Sequence, residues 1–132
     1  MARTNIIDRY LALANQERFA EGLPLIEEIV RRNPDMATSQ FNYGICLAGL
    51  GRHDDAAQAF LRAYALDPDD GGALYRACLA LAESGDESGL LAVFHKECAR
   101  DKEMIHNFLE EERFAEFWKL PRFAALRKKY AA

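Results

Sequence analysis

At 132 residues, 50% of them hydrophobic and 29% charged, the chain has the size and composition of one core-forming domain, which excludes a disordered, collagen-like or disulfide-scaffolded chain. Seventeen lysines and arginines against 21 acidic residues leave a formal net charge of −4, without the basic footprint that draws phosphate backbones or anionic lipid, so no nucleic acid and no membrane is expected as a partner. Charged residues interrupt the apolar stretches far short of the roughly 20 residues of a membrane helix, and Met1–Asn5 leads into no signal-peptide core, so a water-soluble cytoplasmic protein is expected.

Strand-like runs of alternating polarity are missing, and glycine and proline are sparse, which points to an all-α fold. A 34-residue period runs through the chain, giving windows 3–36, 37–70 and 71–104. Tyr10, Gly44 and Cys78 share one column, Leu11, Ile45 and Leu79 a second, Leu13, Leu47 and Leu81 a third, and Ile26, Phe60 and Phe94 a fourth. Pro34 recurs as Pro68 and Gly51 as Gly85. Apolar and turn positions agree while charges differ, as in one supersecondary unit stacked on copies of itself.

In the first window, Tyr10 occupies a column that is small elsewhere, Pro24 falls early in the second helix, and Arg31 and Arg32 suit a helix C-terminal dipole. The middle window is the clearest. Phe41, Tyr43, Ile45, Leu47 and Ala48 mark its first helix, and Gly51 stands where a left-handed residue closes it. Asp54 and Asp55 are expected to cap the second helix, whose buried face is Ala56, Ala59, Phe60 and Ala63, and Asp67-Pro68 stops it. Gly44, Cys78, Ala56 and Gly22 are small residues that admit Phe60, Phe94 and Ile26 from a partner helix. The third window keeps Leu81, Gly85 and Phe94, with Arg100 in its last turn. Beyond it the repeat stops. The segment 105–132, rich in Phe108, Phe114, Phe117, Trp118, Phe123 and Tyr130, reads as a helix near 103–111, a helical turn near 113–118 and a final helix begun by Pro121, together capping the third unit's apolar face.

Residues 37–70, with Asn42, Tyr43-Gly44, Leu47, Gly51, Ala56, Phe60, Ala63 and Pro68 in order, resemble a tetratricopeptide repeat. Gln40 stands in the slot where that family has a large aromatic, and Phe41 beside it is the expected substitute. The resemblance implies a single domain over 1–132: a right-handed α-solenoid of three helical hairpins with C-terminal capping helices. It also implies a protein–protein interaction module. Members that clamp a C-terminal carboxylate do so with five polar side chains. Asn42 and Arg76 match two of these, but Ile7, Leu11 and Gly72 hold the other places, so that ligand is not expected.

No nucleophile–base set, phosphate loop or metal-binding helix motif is present, and neither enzymatic activity nor a cofactor is expected. Gly71-Gly72 reads as a turn before a helix. His95, Cys98 and His106 have a spacing compatible with metal ligation, but Cys98 falls at an inward position. Cys46, Cys78 and Cys98 read as reduced core thiols, and Glu110-Glu111-Glu112 as a solvated helix end. The chemistry therefore rests with the first helix of each hairpin, which lines a concave groove in stacked hairpins. Helical spacing selects Ile7, Asp8, Leu11 and Asn15, with Thr4, in the first unit; Phe41, Asn42 and Ile45, with Gly49, in the second; and Tyr75, Arg76, Leu79 and Glu83 in the third. A protein or peptide partner, extended or helical, suits this mixture of apolar floor and polar register groups. The alternative is a self-associating assembly protein, a weak homodimer formed through the aromatic C-terminal segment or an open end repeat.

Overall fold

The computed structural model describes residues 5–131. Among the described residues eight α-helices follow one another: α1 (Ile6–Asn15), α2 (Phe19–Arg32), α3 (Ala37–Gly49), α4 (His53–Leu66), α5 (Gly71–Ser84), α6 (Glu87–Arg100), α7 (Met104–Glu110) and α8 (Pro121–Tyr130). Two short 3-10 turns, Glu112–Phe114 and Phe117–Lys119, lie between the last two. No strand occurs among the described residues. The chain divides into two compact units, Met1–Ala80 and Leu81–Ala132, with the division inside α5.

In the first unit α1 packs on α2, α2 on α3 and α3 on α4, so successive helices pair as the period requires. Tyr10, Ile26, Ile29 and Cys46 form a buried cluster, with Ile6, Phe19, Leu23 and Tyr43 packed around it. Tyr10 fits the crowded column because Gly22 faces it: a Cβ at Gly22 would lie 3.4 Å from the tyrosine ring. The middle hairpin reverses the sizes. Gly44 sits against Phe60, whose ring would be only 2.7 Å from a Cβ there. One bulky residue and one glycine thus meet in each of these hairpins, on opposite helices.

Turn chemistry repeats as strictly as packing. Glu17, Gly51 and Gly85 all have positive φ, at 56°, 77° and 74°. Each amide bonds back to the carbonyl three residues before it (Ala14, Ala48, Ala82), and the next amide reaches the preceding leucine carbonyl (Leu13, Leu47, Leu81). This is the paired-bond helix terminus that satisfies two orphan carbonyls at once. The expected caps at Asp54 and Asp55 are corrected. Arg52 occupies the N-cap without a side-chain hydrogen bond, and the two acids lie in the first turn, where they meet the helix dipole as expected and Asp55 accepts from Arg52. True side-chain caps stand instead at Asn5, whose Oδ1 accepts from the Asp8 amide at 2.8 Å, and at Asp86, which accepts from Gly89 at 2.9 Å. Asp70 does the same for Gly72 at 3.0 Å, and Gly71 and Gly72, expected as a turn before the helix, are instead the first two residues of α5.

The second unit is built on Phe94 of α6. Phe108 stacks on it with ring centroids 4.2 Å apart, Trp118 stacks at 5.4 Å, and Phe114 and Phe123 meet it edge-on at 5.2 and 6.0 Å. The Trp118 indole N–H donates to the Phe108 carbonyl at 3.2 Å, which keeps its one polar atom satisfied inside the cluster. The C-terminal helices and turns fall where the sequence puts them, and Pro121 takes the first helical position of α8.

Candidate functional site

Helices α1, α3 and α5 each bury one side and leave another uncovered. On α1, Tyr10 is buried, while Ile7 and Leu11, one turn apart, are 46% and 39% exposed. Asp8 and Asn15 are exposed on the same helix, and Thr4 lies outside the described residues. On α5, Ala73, Leu74 and Ala77 are buried, whereas Tyr75 is 42% exposed and Arg76 is exposed beside it. Phe41, Asn42, Ile45 and Leu79 are half-buried. The large apolar side chains most exposed among the described residues are Ile7, Leu11, Met36, Leu66 and Tyr75, and three of these belong to the predicted groove set.

Polar and aromatic contacts join these helices within the first unit. The Tyr10 hydroxyl of α1 donates to the Asn42 carbonyl of α3 at 2.9 Å. The Arg76 guanidinium of α5 stands 5.6 Å from the centroid of the Phe41 ring of α3, a cation–π distance. The same Phe41 ring meets Phe60 edge-on at 5.5 Å, so the cation rests on an aromatic that is itself held by the α4 core. The Asn42 amide nitrogen donates to Thr38 one turn earlier in α3, at 3.1 Å. Gly49, at the end of α3, is exposed. A Cβ there would collide with the Phe19 ring of α2, so this glycine serves close helix approach. Glu83 is exposed and belongs to the second unit. Gln40 is buried in the slot of the missing aromatic, donating to the Pro34 carbonyl at 3.0 Å and accepting from Arg62 at 3.1 Å.

Residues 8–71, from α1 to the start of α5, match the tetratricopeptide repeat family model. Over this stretch the chain carries tetratricopeptide repeats. No curated protein and no solved structure matches it. The tetratricopeptide repeat family is a protein-interaction scaffold, which fits a face of exposed apolar side chains with interspersed polar groups. Among the described residues no three metal-binding side chains gather. His95 contacts Tyr130, His106 lies 3.6 Å from Glu103, and Cys98 is buried. Burial pushes the Cys98 thiol up to about 11, with Glu97 and Asp101 adding to the effect, and burial also raises Cys46, so neither is primed as a thiolate nucleophile. No described helix is long and apolar enough to cross a membrane.

Sequence reasoning missed the Arg76–Phe41 contact, which lies between helices and has no spacing signature. It also missed Tyr10 as a strut between α1 and α3, although a tyrosine in a column otherwise held by glycine and cysteine was the available signal.

Proposed function

We propose that this tetratricopeptide repeat protein is a non-enzymatic adaptor of the cytoplasm that holds a partner peptide or helix in a groove lined by α1, α3 and α5. The observation that carries this reading is the exposure of Ile7, Leu11 and Tyr75 on first helices, around the half-buried Phe41, Ile45 and Leu79. Exposed apolar area of this kind gives affinity to a partner's apolar anchors, and Asp8, Asn15, Asn42 and Arg76 set register. Arg76 is the specificity element: stacked on Phe41, it presents a fixed guanidinium to a carboxylate or carbonyl of the ligand.

Affinity capture from the source cell, with Tyr75→Ala/Arg76→Ala as the control, tests it. Capture of the partner falls at least tenfold in the double variant while the melting temperature stays close to wild type, because both side chains lie outside the core. Equal capture by the two proteins overturns the groove. The self-association reading separates by solution mass across concentration: a groove adaptor is mainly monomeric or weakly dimeric, whereas an assembly protein grows in mass.

A further inference from the structure

In the second unit, α6 and α8 leave between them an open cleft of about 370 Å³. Its floor is apolar, from Leu91, Ala125 and Leu126, and its rim carries His95, Arg122 and Lys129. The charge of α8 stands against that of the chain. Arg122, Arg127, Lys128 and Lys129 are its charged residues, and no acid follows Glu116. Among the described residues none of the four enters an ion pair; Arg122 makes a long 3.4 Å bond to Ser88, and Lys129 stands 5.2 Å from the Tyr130 ring centroid. Cations with no carboxylate partner around an apolar hollow call for an anionic ligand with an apolar group.

We propose that this cleft is a second docking site, for an acidic peptide segment carrying one bulky apolar side chain. The volume sits at the lower end of ligand sites, enough for one or two peptide side chains. A leucine or phenylalanine reaches the floor between Leu91 and Ala125, and flanking carboxylates meet Arg122 and Lys129 with charge-assisted hydrogen bonds. A lipid surface fits less well. The large apolar residues of α8, Phe123 and Leu126, are 1% and 7% exposed and packed inward, so the helix has no apolar face to sink into acyl chains. The site is separate in residues and in charge from the α1, α3 and α5 face.

The test is fluorescence anisotropy of a labelled, C-amidated peptide, one leucine between two pairs of aspartates, titrated with the full chain. Arg122→Glu/Lys129→Glu weakens binding at least tenfold. Ala125→Trp does the same by filling the cleft from an exposed position, and replacing the peptide leucine by glycine also costs tenfold. Helical circular dichroism and melting temperature check that each variant is folded, with Arg122→Gln/Lys129→Gln as the milder charge variant. Tyr75→Ala/Arg76→Ala leaves binding unchanged. Several results overturn the proposal: no binding at millimolar chain, equal binding of the leucine-free peptide, or indifference to Ala125→Trp. Loss only in the Tyr75/Arg76 variant moves the peptide to the first-helix face and leaves the proposed function standing. Binding of phosphatidylserine vesicles in place of the peptide, or a concentration-dependent mass abolished by the α8 variants, gives the cleft to a membrane or to a second copy and likewise overturns it.

Discussion

Glu17 takes a backbone conformation that its two counterparts, Gly51 and Gly85, leave to glycine. The left-handed region costs a residue with a Cβ roughly 1–2 kcal/mol, because the Cβ crowds the following carbonyl. Part of that cost is offset in Glu17, since a glycine there would leave the unfolded chain freer by about 0.4–1 kcal/mol. Glu17→Gly is therefore expected to raise stability by about 0.5–1 kcal/mol, while Gly51→Ala lowers it by a similar amount or somewhat more. Nothing lies within 4 Å of a Cβ at Gly51, so the loss there reports backbone strain alone. Urea denaturation of both variants checks the pair, and a stabilised Gly51→Ala would refute the strain account. Glutamate has no turn signature, which is why the 34-residue period shows two glycines in this column and hides the third member. The same limit applies at Gly49, where the sequence marks a surface position and only the Phe19 ring of the neighbouring helix makes it a contact.

At the scale of elements, each hairpin joins two helices that are too short to persist alone in water, so their helicity depends on the faces they bury. In the first unit those faces were legible. Columns such as Tyr10/Gly44 and Ile26/Phe60 carry size as well as polarity, and size decides which helix brings the bulky residue. In the second unit the period fails after residue 104, and the aromatic density from Phe108 to Phe123 is the signal that remains for the expected cap. What the sequence leaves open is the common target of those rings, Phe94, which is fully buried by them. Truncation after Asp101 removes Phe108, Phe114, Trp118 and Phe123 together and uncovers Phe94. The shortened chain is expected to aggregate or bind a hydrophobic dye, and a soluble fragment with full helical signal per residue would refute the capping role.

Across the whole molecule, the binding faces are harder to read than the folds because exposure is a property of neighbours. The spacing of Ile7 and Leu11, or of Tyr75 and Leu79, says which residues share a helix side. It does not say that Ile7 stays open while Ile6 joins the Tyr10 cluster. Titration gives a test that reaches both units at once. Burial raises the Tyr10 phenol well above its ordinary range and raises Cys46 and Tyr43 in the first unit, and it pushes the Cys98 thiol of the second from 9.0 to about 11. Each of these groups is an acid that stays neutral longer when folded than when unfolded. Below the unfolded value the two states hold the same protons and the stabilisation is complete; above it the unfolded chain loses protons first, so stability falls as pH rises toward the folded value. Urea midpoints should therefore be flat from neutral pH to about 8, where a free thiol begins to ionise, and decline steeply by about 10.5, with thiol reagents labelling Cys46 and Cys98 only as the chain opens. Cys98→Val, which keeps an apolar side chain of similar size, removes the contribution of that thiol and flattens the decline between 9 and 11; a variant with the wild-type slope would show that Cys98 ionises in the folded protein as it does in water.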